Sequence, residues 1–176
     1  MLLKGDLVLL RAVEPTDADL LYCWENDTSL WRFGNPVSPY SHYHLEKFIE
    51  TAGDIFTMGQ MRLMIDLVDG SATVGCVDLF DYDPRSRRAE VAILVDVAHQ
   101  GNHYGKEALK LLSDYVFNHL HFHQLYAYVG EDNEVSRNLF SCAGFSEVAL
   151  LKDWFCNGSW ENCFLYQKIE KMNILN

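Results

Sequence analysis

The 176-residue chain contains 49% hydrophobic and 22% charged residues, a balance that is typical of a soluble globular protein and excludes a disordered or membrane-embedded one. Its net charge of -11 argues against binding to nucleic acid or to an anionic membrane, and it favours cationic partners such as amines. The apolar start MLLKGDLVLLR is interrupted by a glycine and an acid, so we expect no signal peptide and a cytoplasmic protein. Five cysteines without a C-x-x-C pair favour buried free thiols over a zinc site or disulfides.

The first third of the chain predicts one strand and two helices. Residues 7–13, LVLLRAV, are rich in aliphatic side chains and predict a strand. Pro15 then opens a helix that runs to about Asn26, because proline suits a first helical turn and the acids that follow suit the positive end of the dipole. An irregular aromatic segment, 28–41, precedes a second helix over 44–51.

The rest of the chain predicts a strand meander, a long amphipathic helix and a final hairpin. Three strands joined by tight turns are followed by the long helix, a fifth strand, a short helix that ends at Gly144, and a hairpin that turns at Asn157-Gly158. The predicted ranges are strands 62–68, 73–82 and 89–97, helix 104–120, strand 124–130, and hairpin strands 147–156 and 159–169. The order βααβββαβαββ predicts a single domain over residues 1–170 and a tail over 171–176.

The segment HQGNHYGKEA, residues 99–108, lies between a predicted strand and a predicted helix, where unpaired N–H groups favour an anion. A P-loop is excluded, because Gln100 stands where a glycine is needed and Glu107 where serine or threonine is needed. A dinucleotide fingerprint is excluded too, because His103 replaces its second glycine and antiparallel hairpins do not build a doubly wound sheet.

The stretch QGNHYG, residues 100–105, resembles the Gln/Arg-x-x-Gly-x-Gly/Ala loop of the GNAT superfamily of acyl-CoA-dependent N-acetyltransferases, with a histidine in place of one glycine. The strand before it, RRAEVAILVDV, is similar as well. Three more segments resemble the branch that contains spermidine N-acetyltransferases and ribosomal-protein N-terminal acetyltransferases: LVLLRAVEPTDADLLYCWEND, NEVSRNLFSCAGF and WFCNGSWEN. The matches keep the order and spacing of that branch over nearly the whole chain.

This resemblance implies the GNAT acyl-CoA N-acyltransferase fold: a mixed α/β (α+β) domain whose mostly antiparallel twisted sheet splays between the fourth and fifth strands and is flanked by helices. It implies acetyl-CoA as co-substrate, with the pantetheine arm paired along the fourth strand and the phosphates on the loop. The residues implied to bind it are Ile93, Leu94, Val95, Gln100, Gly101, Asn102, His103, Tyr104, Gly105, Lys106, Asn133, Arg137 and Phe140. Asn133 would serve equally as a helix cap, and Lys106 and Arg137 as solvated surface cations.

Acetyl transfer to an amine depends mainly on removal of the amine proton. An alkylammonium with a pKa of ~10.4 is only ~0.1% neutral at pH 7.4, whereas a thiol with a pKa of ~8.5 departs readily as thiolate. The resemblance places the proton acceptor at Glu90, for which the alternative is a surface carboxylate paired with Arg87 or Arg88. It also places a substrate-facing acid at Asp81 on the neighbouring strand, so that the two acids would form an anionic mouth.

Phe140 departs from the spermidine enzymes, which have a tyrosine at the matching position to protonate the departing sulfur. Either the thiolate leaves unassisted, or Tyr104, Tyr128 or Ser136 donates a proton through water. The ribosomal-protein branch also lacks the tyrosine, so the departure weakens the polyamine assignment more than the enzyme assignment.

Aromatic residues near the first two helices are candidates for an acceptor pocket, with core packing as the alternative: Trp24, Trp31, Phe33 and Tyr40. We assign Trp31 and Phe33 to substrate binding. The spermidine enzymes carry adjacent glutamates here, and PVSPYS has none. The alternating His119, His121 and His123 could bind a metal only if extended, and we expect no metal site.

The leading hypothesis is an acetyl-CoA-dependent N-acetyltransferase in which a primary amine, of a small amine or a polyamine such as spermidine, attacks the thioester directly. The first alternative is a protein N-terminal acetyltransferase of the ribosomal-protein type. The second is a catalytically silent acyl-CoA sensor, suggested by Phe140 and His103. Partners would be the amine or a peptide N-terminus, without nucleic acid or membrane, and a homo-oligomer is compatible with the sequence.

Overall fold

Eight strands form one continuous sheet in the part of the chain that the structure describes. The computed structural model describes residues 3–28, 31, 38–156 and 158–170. The strands are β1 (Leu3–Lys4), β2 (Val8–Ala12), β3 (Met61–Leu67), β4 (Thr73–Asp83), β5 (Arg88–Val95), β6 (Gln124–Gly130), β7 (Ser146–Cys156) and β8 (Trp160–Ile169). They lie in the order β1-β2-β3-β4-β5-β6-β8-β7. Neighbouring strands are antiparallel except β5 and β6, which run parallel.

Helices cover both faces of this sheet. Those with described bounds are α1 (Ala18–Glu25), α2 (His42–Glu50), α3 (Ile55–Met58), α4 (Tyr104–Asn118) and α5 (Glu134–Cys142). A 3-10 turn, Pro15–Asp17, leads into α1, and a second, Val97–His99, follows β5. None of the described helices combines the length and the hydropathy that crossing a membrane requires.

The predicted mixed α/β fold with a mostly antiparallel sheet is confirmed. The strand predicted over 124–130 has the bounds of β6, and the long helix begins at the predicted Tyr104. The helix predicted over 15–26 is a 3-10 turn followed by α1, and β1 and α3 were not predicted. The tail 171–176 lies outside the described residues, and the single domain over 1–170 stays a prediction.

Two apolar clusters lie on opposite faces of the sheet because successive strand residues point to opposite sides. On β3, Leu63 and Ile65 belong to the cluster beneath α4, whereas Met64 between them belongs to the cluster beneath α1 and α2. Helix α4 contributes an apolar stripe to the first cluster: Ala108, Leu109, Leu112 and Val116. The two helical layers therefore reach different sides of β4 and β5.

The parallel pair β5 and β6 separates soon after it begins. Cα partners are found only from Arg88 to Glu90 on β5, opposite Gln124 to Tyr126 on β6. Beyond Glu90, β5 continues to pair with β4 on its other side as far as Val95. The edge of β5 that faces β6 is thus left without a strand partner over residues 91–95, and the splay expected from the sequence is present.

Candidate active site

A cleft of about 990 Å³ begins where β5 and β6 separate. Its walls come from β4, β5, the loop before α4, and the first turns of α4 and α5. Ten of the predicted cofactor-binding residues line it: Ile93, Leu94, Val95, Gln100, Gly101, His103, Tyr104, Gly105, Lys106 and Asn133. The structure therefore brings most of the predicted set to one place.

The loop before α4 places two residues in the left-handed region of the backbone. Gly101 has φ 79°, and a Cβ at this position would meet no atom within 4 Å, so conformation rather than space explains the glycine. His103 has φ 65° and is the N-cap of α4, but its side chain makes no capping hydrogen bond. The first N–H groups of α4 lack partners within the helix and point towards the loop, as anion binding requires.

Gly105 sets the distance between the start of α4 and its neighbours. A Cβ on this residue would lie 3.2 Å from side-chain carbons of both Leu139 on α5 and Val95 on β5. Glycine therefore lets the helix approach the strand end and α5 closely, which keeps the N–H groups of its first turn at the cleft.

The end of β5 is packed closely against β4 and is bonded to the loop before α4. Gly75 of β4 lies opposite Val95, and a Cβ at Gly75 would stand 2.1 Å from the carbonyl oxygen of Leu94. Glycine thus permits the close approach of β4 to β5 at this point. The Val95 carbonyl accepts a hydrogen bond of 3.0 Å from the side-chain amide of Gln100, which ties the loop to the strand.

Asn102, Arg137 and Phe140 do not line the cleft. The amide of Asn102 donates to the carbonyl oxygens of His99 and Gln100, which shapes the loop from within. The guanidinium of Arg137 lies 4.2 Å from the ring centroid of Phe164. Phe140 is buried, with its ring centroid 5.1 Å from that of Phe145. Asn133 caps α5 by accepting a hydrogen bond from the Ser136 N–H, as its alternative role predicted.

Glu90 lies beyond one end of the cleft, on the face of the sheet that carries α1 and α2. Its Cα partners are Phe80 on β4 and Tyr126 on β6, and Phe80 lines the cleft. Burial, together with the negative charge of Asp81, raises the pKa of Glu90 to about 7. A carboxyl with that pKa exchanges protons at neutral pH, as a general base must.

Two tyrosines of β6, Tyr126 and Tyr128, lie close enough to this carboxyl to feel its charge. The ring centroids of Tyr126 and Tyr128 are 5.8 Å apart, and those of Tyr128 and Trp154 are 5.5 Å apart. Burial and the charge of Glu90 raise the pKa of the Tyr128 phenol, and the same two causes raise the pKa of the Cys163 thiol to about 11. Both groups are therefore neutral at neutral pH, and the site combines carboxylates with aromatic faces, which attract cations.

A second polar cluster, which the sequence analysis missed, lines the cleft nearer to α1. Arg62 donates to both carboxylate oxygens of Asp78, at 2.6 and 2.9 Å, and to Glu25 at 2.7 Å. Its guanidinium lies 5.2 Å from the ring centroid of Phe48. Arg62 and Asp78 face each other across the predicted β3–β4 hairpin, so opposite charges at facing positions could have revealed that pair.

The predicted acceptor-pocket aromatics have different positions. Tyr40 lines the cleft, whereas Trp24 is buried in the core beneath α1 and α2. The Trp31 indole donates a hydrogen bond of 2.8 Å to the carbonyl oxygen of Glu25 at the end of α1. Phe33 lies outside the described residues. Among the described residues, no group of three or more His, Cys, Asp or Glu side chains is arranged to hold a metal ion.

A profile of the acetyltransferase (GNAT) domain matches residues 8–146. The chain belongs to the GNAT acetyltransferase family. It is an acetyl-CoA-dependent N-acetyltransferase. The cleft has features that suit this co-substrate: a helix start preceded by left-handed loop residues, which is an arrangement that binds phosphate, and an edge of β5 without a strand partner, which is open to an extended ligand.

Similar proteins include enzymes with different acceptors. The spermidine N(1)-acetyltransferase of Escherichia coli K12 is 30% identical over 160 residues, covering 88% of this chain and 82% of the relative. The Vibrio cholerae spermidine N-acetyltransferase in complex with CoA and spermine has a TM-score of 0.82 at 24% identity, covering 92% of this chain and 95% of the other. The ribosomal-protein-S5-alanine acetyltransferase of Vibrio fischeri has a TM-score of 0.85 at 17% identity, with 98% of each chain covered. These structural likenesses show the shared fold.

Proposed function

We propose that this GNAT enzyme acetylates a primary amine of a polyamine or a similar small polycation by direct attack on acetyl-CoA, with Glu90 as the base. The observation that carries the proposal is the placement of Glu90 and Asp81 beside Tyr126 and Tyr128 at the point where β5 and β6 separate, with Trp154 stacked on Tyr128. Carboxylates and aromatic faces in one site suit an alkylammonium group. The 30% identity to a spermidine acetyltransferase over most of both chains supports the same acceptor class.

The reaction needs one proton removed before the new bond forms. Glu90, with a pKa of about 7, accepts a proton from the bound ammonium directly or through water. The neutral nitrogen then attacks the thioester carbonyl carbon, a C–N bond forms, and the C–S bond breaks with release of CoA thiolate. The nitrogen loses its second proton to water. An N–H on the free edge of β5, that of Ile93 or Val95, stabilises the carbonyl oxygen, because the intervening Leu94 turns its backbone groups towards β4.

Two side-chain hydroxyl groups line the cleft into which the thiolate would depart. Tyr104 and Ser136 both line it, whereas Phe140 is buried away from it. A thiol with a pKa of ~8.5 leaves as thiolate without a donor, so protonation of the sulfur follows its departure. We therefore assign no general acid that the rate depends on.

An acceptor screen tests the proposal, with released CoA thiol as the readout. We expect turnover with spermidine, spermine or a diamine, and loss of at least ~100-fold in kcat in Glu90→Gln with an unchanged Kd for acetyl-CoA. Asp114→Asn is the matched control, because this exposed carboxylate lies on α4, beyond the opposite face of the sheet. Turnover limited to peptides with a free N-terminus would replace the polyamine with the ribosomal-protein type of acceptor. Stabilisation by acetyl-CoA without turnover of any acceptor would favour the sensor.

The proposal extends to assembly and location. A dodecameric spermidine N-acetyltransferase of Vibrio cholerae, with a TM-score of 0.76 at 24% identity over 92% of this chain and 93% of that one, supports a homo-oligomer. All five cysteines are free thiols, which supports the reducing environment of the cytoplasm. Light scattering of the purified protein tests the first point, and a monomer at micromolar concentration would contradict it.

A further inference from the structure

Asp81, Glu90 and Tyr126 come from three adjacent strands at one level of the sheet. Glu90 is the Cα partner of Phe80, the residue before Asp81, and also of Tyr126. The Glu90–Tyr126 pair is the last one before β5 and β6 separate, and the β4–β5 register shifts between Phe80 and Asp83. The three polar side chains therefore meet where regular pairing ends on both sides of β5.

Asp81 is held in a conformation that aspartate does not adopt freely. Its φ is 52°, inside the irregular part of β4, and its side chain is exposed. A residue other than glycine in the left-handed region is uncommon, and this conformation persists where the surroundings fix it. The Tyr126 hydroxyl supplies that restraint by donating a hydrogen bond of 2.5 Å to the Asp81 carboxylate.

We propose that Tyr126 is a positioning residue of the transfer reaction: its phenol holds the Asp81 carboxylate beside Glu90, so that a fixed negative charge acts on the group that takes the amine proton. This inference rests on the proposed role of Glu90 as the base. Tyr126 acts through Asp81, so the irregular part of β4 helps to position the charge beside Glu90.

Among the described residues around Glu90, Asp81 supplies the negative charge that acts on it, because the other groups are neutral or paired. From β6, Tyr126 and Tyr128 face it as neutral phenols, because burial and nearby charges raise the pKa of each. From β8, Cys163 faces it as a neutral thiol. On β5 itself, Arg88 lies two residues away and forms an ion pair of 3.4 Å with Asp83.

The consequence is a base whose proton affinity depends on a hydrogen bond made by another residue. With the phenol removed, the exposed Asp81 carboxylate turns into water, where its charge is screened from Glu90. The pKa of Glu90 then falls towards that of an ordinary glutamate, and the ionised form predominates at a lower pH. A role of Tyr126 in packing alone would lower stability without moving this titration.

The test is the pH dependence of kcat/KM for a polyamine acceptor in the full-length enzyme. In the wild type we expect kcat/KM to fall at low pH as Glu90 is protonated, and this acidic limb of the profile should lie near pH 7. It is well separated from the titration of the ammonium group at a pH of ~10. Tyr126→Phe should move the limb to lower pH by about half a unit or more, Asp81→Asn should do at least as much, and the double variant should add nothing further. Tyr115→Phe, on α4 beyond the other face of the sheet, should leave the limb in place.

The outcomes separate the two proposals. A limb that stays put in Tyr126→Phe, or that shifts additively in the double variant, overturns the positioning role. If Tyr126→Phe does not fold, Asp81→Asn decides alone. An acidic limb that does not move in Asp81→Asn overturns the inference, because the Asp81 charge then has no effect on Glu90. A limb that survives in Glu90→Gln instead overturns the role of Glu90 as the base.

Discussion

The indole N–H of Trp24 donates a hydrogen bond of 2.9 Å to the carboxylate of Asp96, which joins α1 to the point where β5 ends. The other oxygen of Asp96 accepts from the Ala98 N–H at 2.9 Å and so caps the 3-10 turn that leads into the loop before α4. One carboxylate therefore connects α1 to the loop that precedes α4. Trp24 is only 6% exposed, whereas Asp96 is half-buried, so the bond between them is partly shielded from water.

Trp24→Phe should lower the free energy of unfolding by about 1–3 kcal/mol, because it removes a bond to a charged group and part of the buried indole. We also expect a higher KM for acetyl-CoA with a smaller change in kcat, since the turn before the loop loses one restraint. Urea denaturation and steady-state kinetics measure the two effects. Trp160→Phe is the control, because Trp160 is 66% exposed. Equal losses in both variants would contradict this role for the Trp24–Asp96 bond.

The side chain of Glu107 on α4 binds the turn between β1 and β2. Its carboxylate accepts three backbone hydrogen bonds, from Asp6 and Leu7 at 2.8 Å and from Val8 at 2.9 Å. A Cβ on Gly5 would lie 2.6 Å from this carboxylate, so glycine leaves the room that the contact needs. Glu107→Gln should cost about 1–3 kcal/mol, because an amide presents N–H donors where only donors face it.

The cost of Glu107→Gln should depend on pH. Burial opposes the charged form, but the backbone hydrogen bonds prevail and lower the pKa of Glu107. A carboxyl with a lowered folded pKa stabilises the fold above its unfolded pKa of ~4.3, and this contribution disappears as pH falls through the folded value. The difference in unfolding free energy between wild type and Glu107→Gln should thus be full at pH 7 and shrink below pH ~4. Glu134→Gln, an exposed acid in the first turn of α5, is the control, and a pH-independent difference would argue against the mechanism.

Local patterns were sufficient for the elements that carry the site. Alternation of buried and partly buried residues defines β6 with the predicted bounds, and the apolar stripe defines α4. The two missed elements are too short for such patterns, since β1 has two residues and α3 has four. Their formation depends on tertiary contacts, such as the pairing of β1 with β2.

The contacts of the candidate site that could not be predicted from the sequence also depend on tertiary structure. The cofactor loop is contiguous, so its residues could be predicted together, and the resemblance supplied Glu90. The bond between Tyr126 and Asp81 joins residues 45 positions apart, and that between Arg62 and Glu25 joins residues 37 apart. Such pairs follow from strand register and helix placement, which no local pattern encodes.

Phe140→Tyr tests whether the enzyme lacks a general acid that it needs. We expect kcat to stay within about twofold, because a thiolate of pKa ~8.5 leaves unaided. The free energy of unfolding should fall by about 1–3 kcal/mol, because the new hydroxyl enters an apolar cluster in which Phe140 is 3% exposed. Phe145→Tyr, in the same cluster, provides the matched comparison. A tenfold rise in kcat in Phe140→Tyr alone would show that its hydroxyl reaches the sulfur and that protonation limits the rate.

His103→Gly tests the loop position at which a histidine replaces the family's glycine. At φ 65°, His103 carries left-handed strain that glycine would not, but glycine also gains freedom in the unfolded chain. The two effects oppose each other, so we expect the free energy of unfolding to rise by no more than about 1 kcal/mol. His121→Gly is matched, because His121 has φ 58° and lies after α4, away from the loop.

Acetyl-CoA binding tests whether the His103 side chain contacts the phosphates. The backbone N–H groups that would hold the phosphates are the same with either residue at 103, and the left-handed conformation that aims them is already present. We therefore expect the Kd of His103→Gly for acetyl-CoA, measured by calorimetry, to stay within about threefold of wild type. A tenfold weaker Kd in His103→Gly but not in His121→Gly would make the imidazole itself a phosphate contact. A tenfold tighter Kd would instead mean that the side chain crowds the loop.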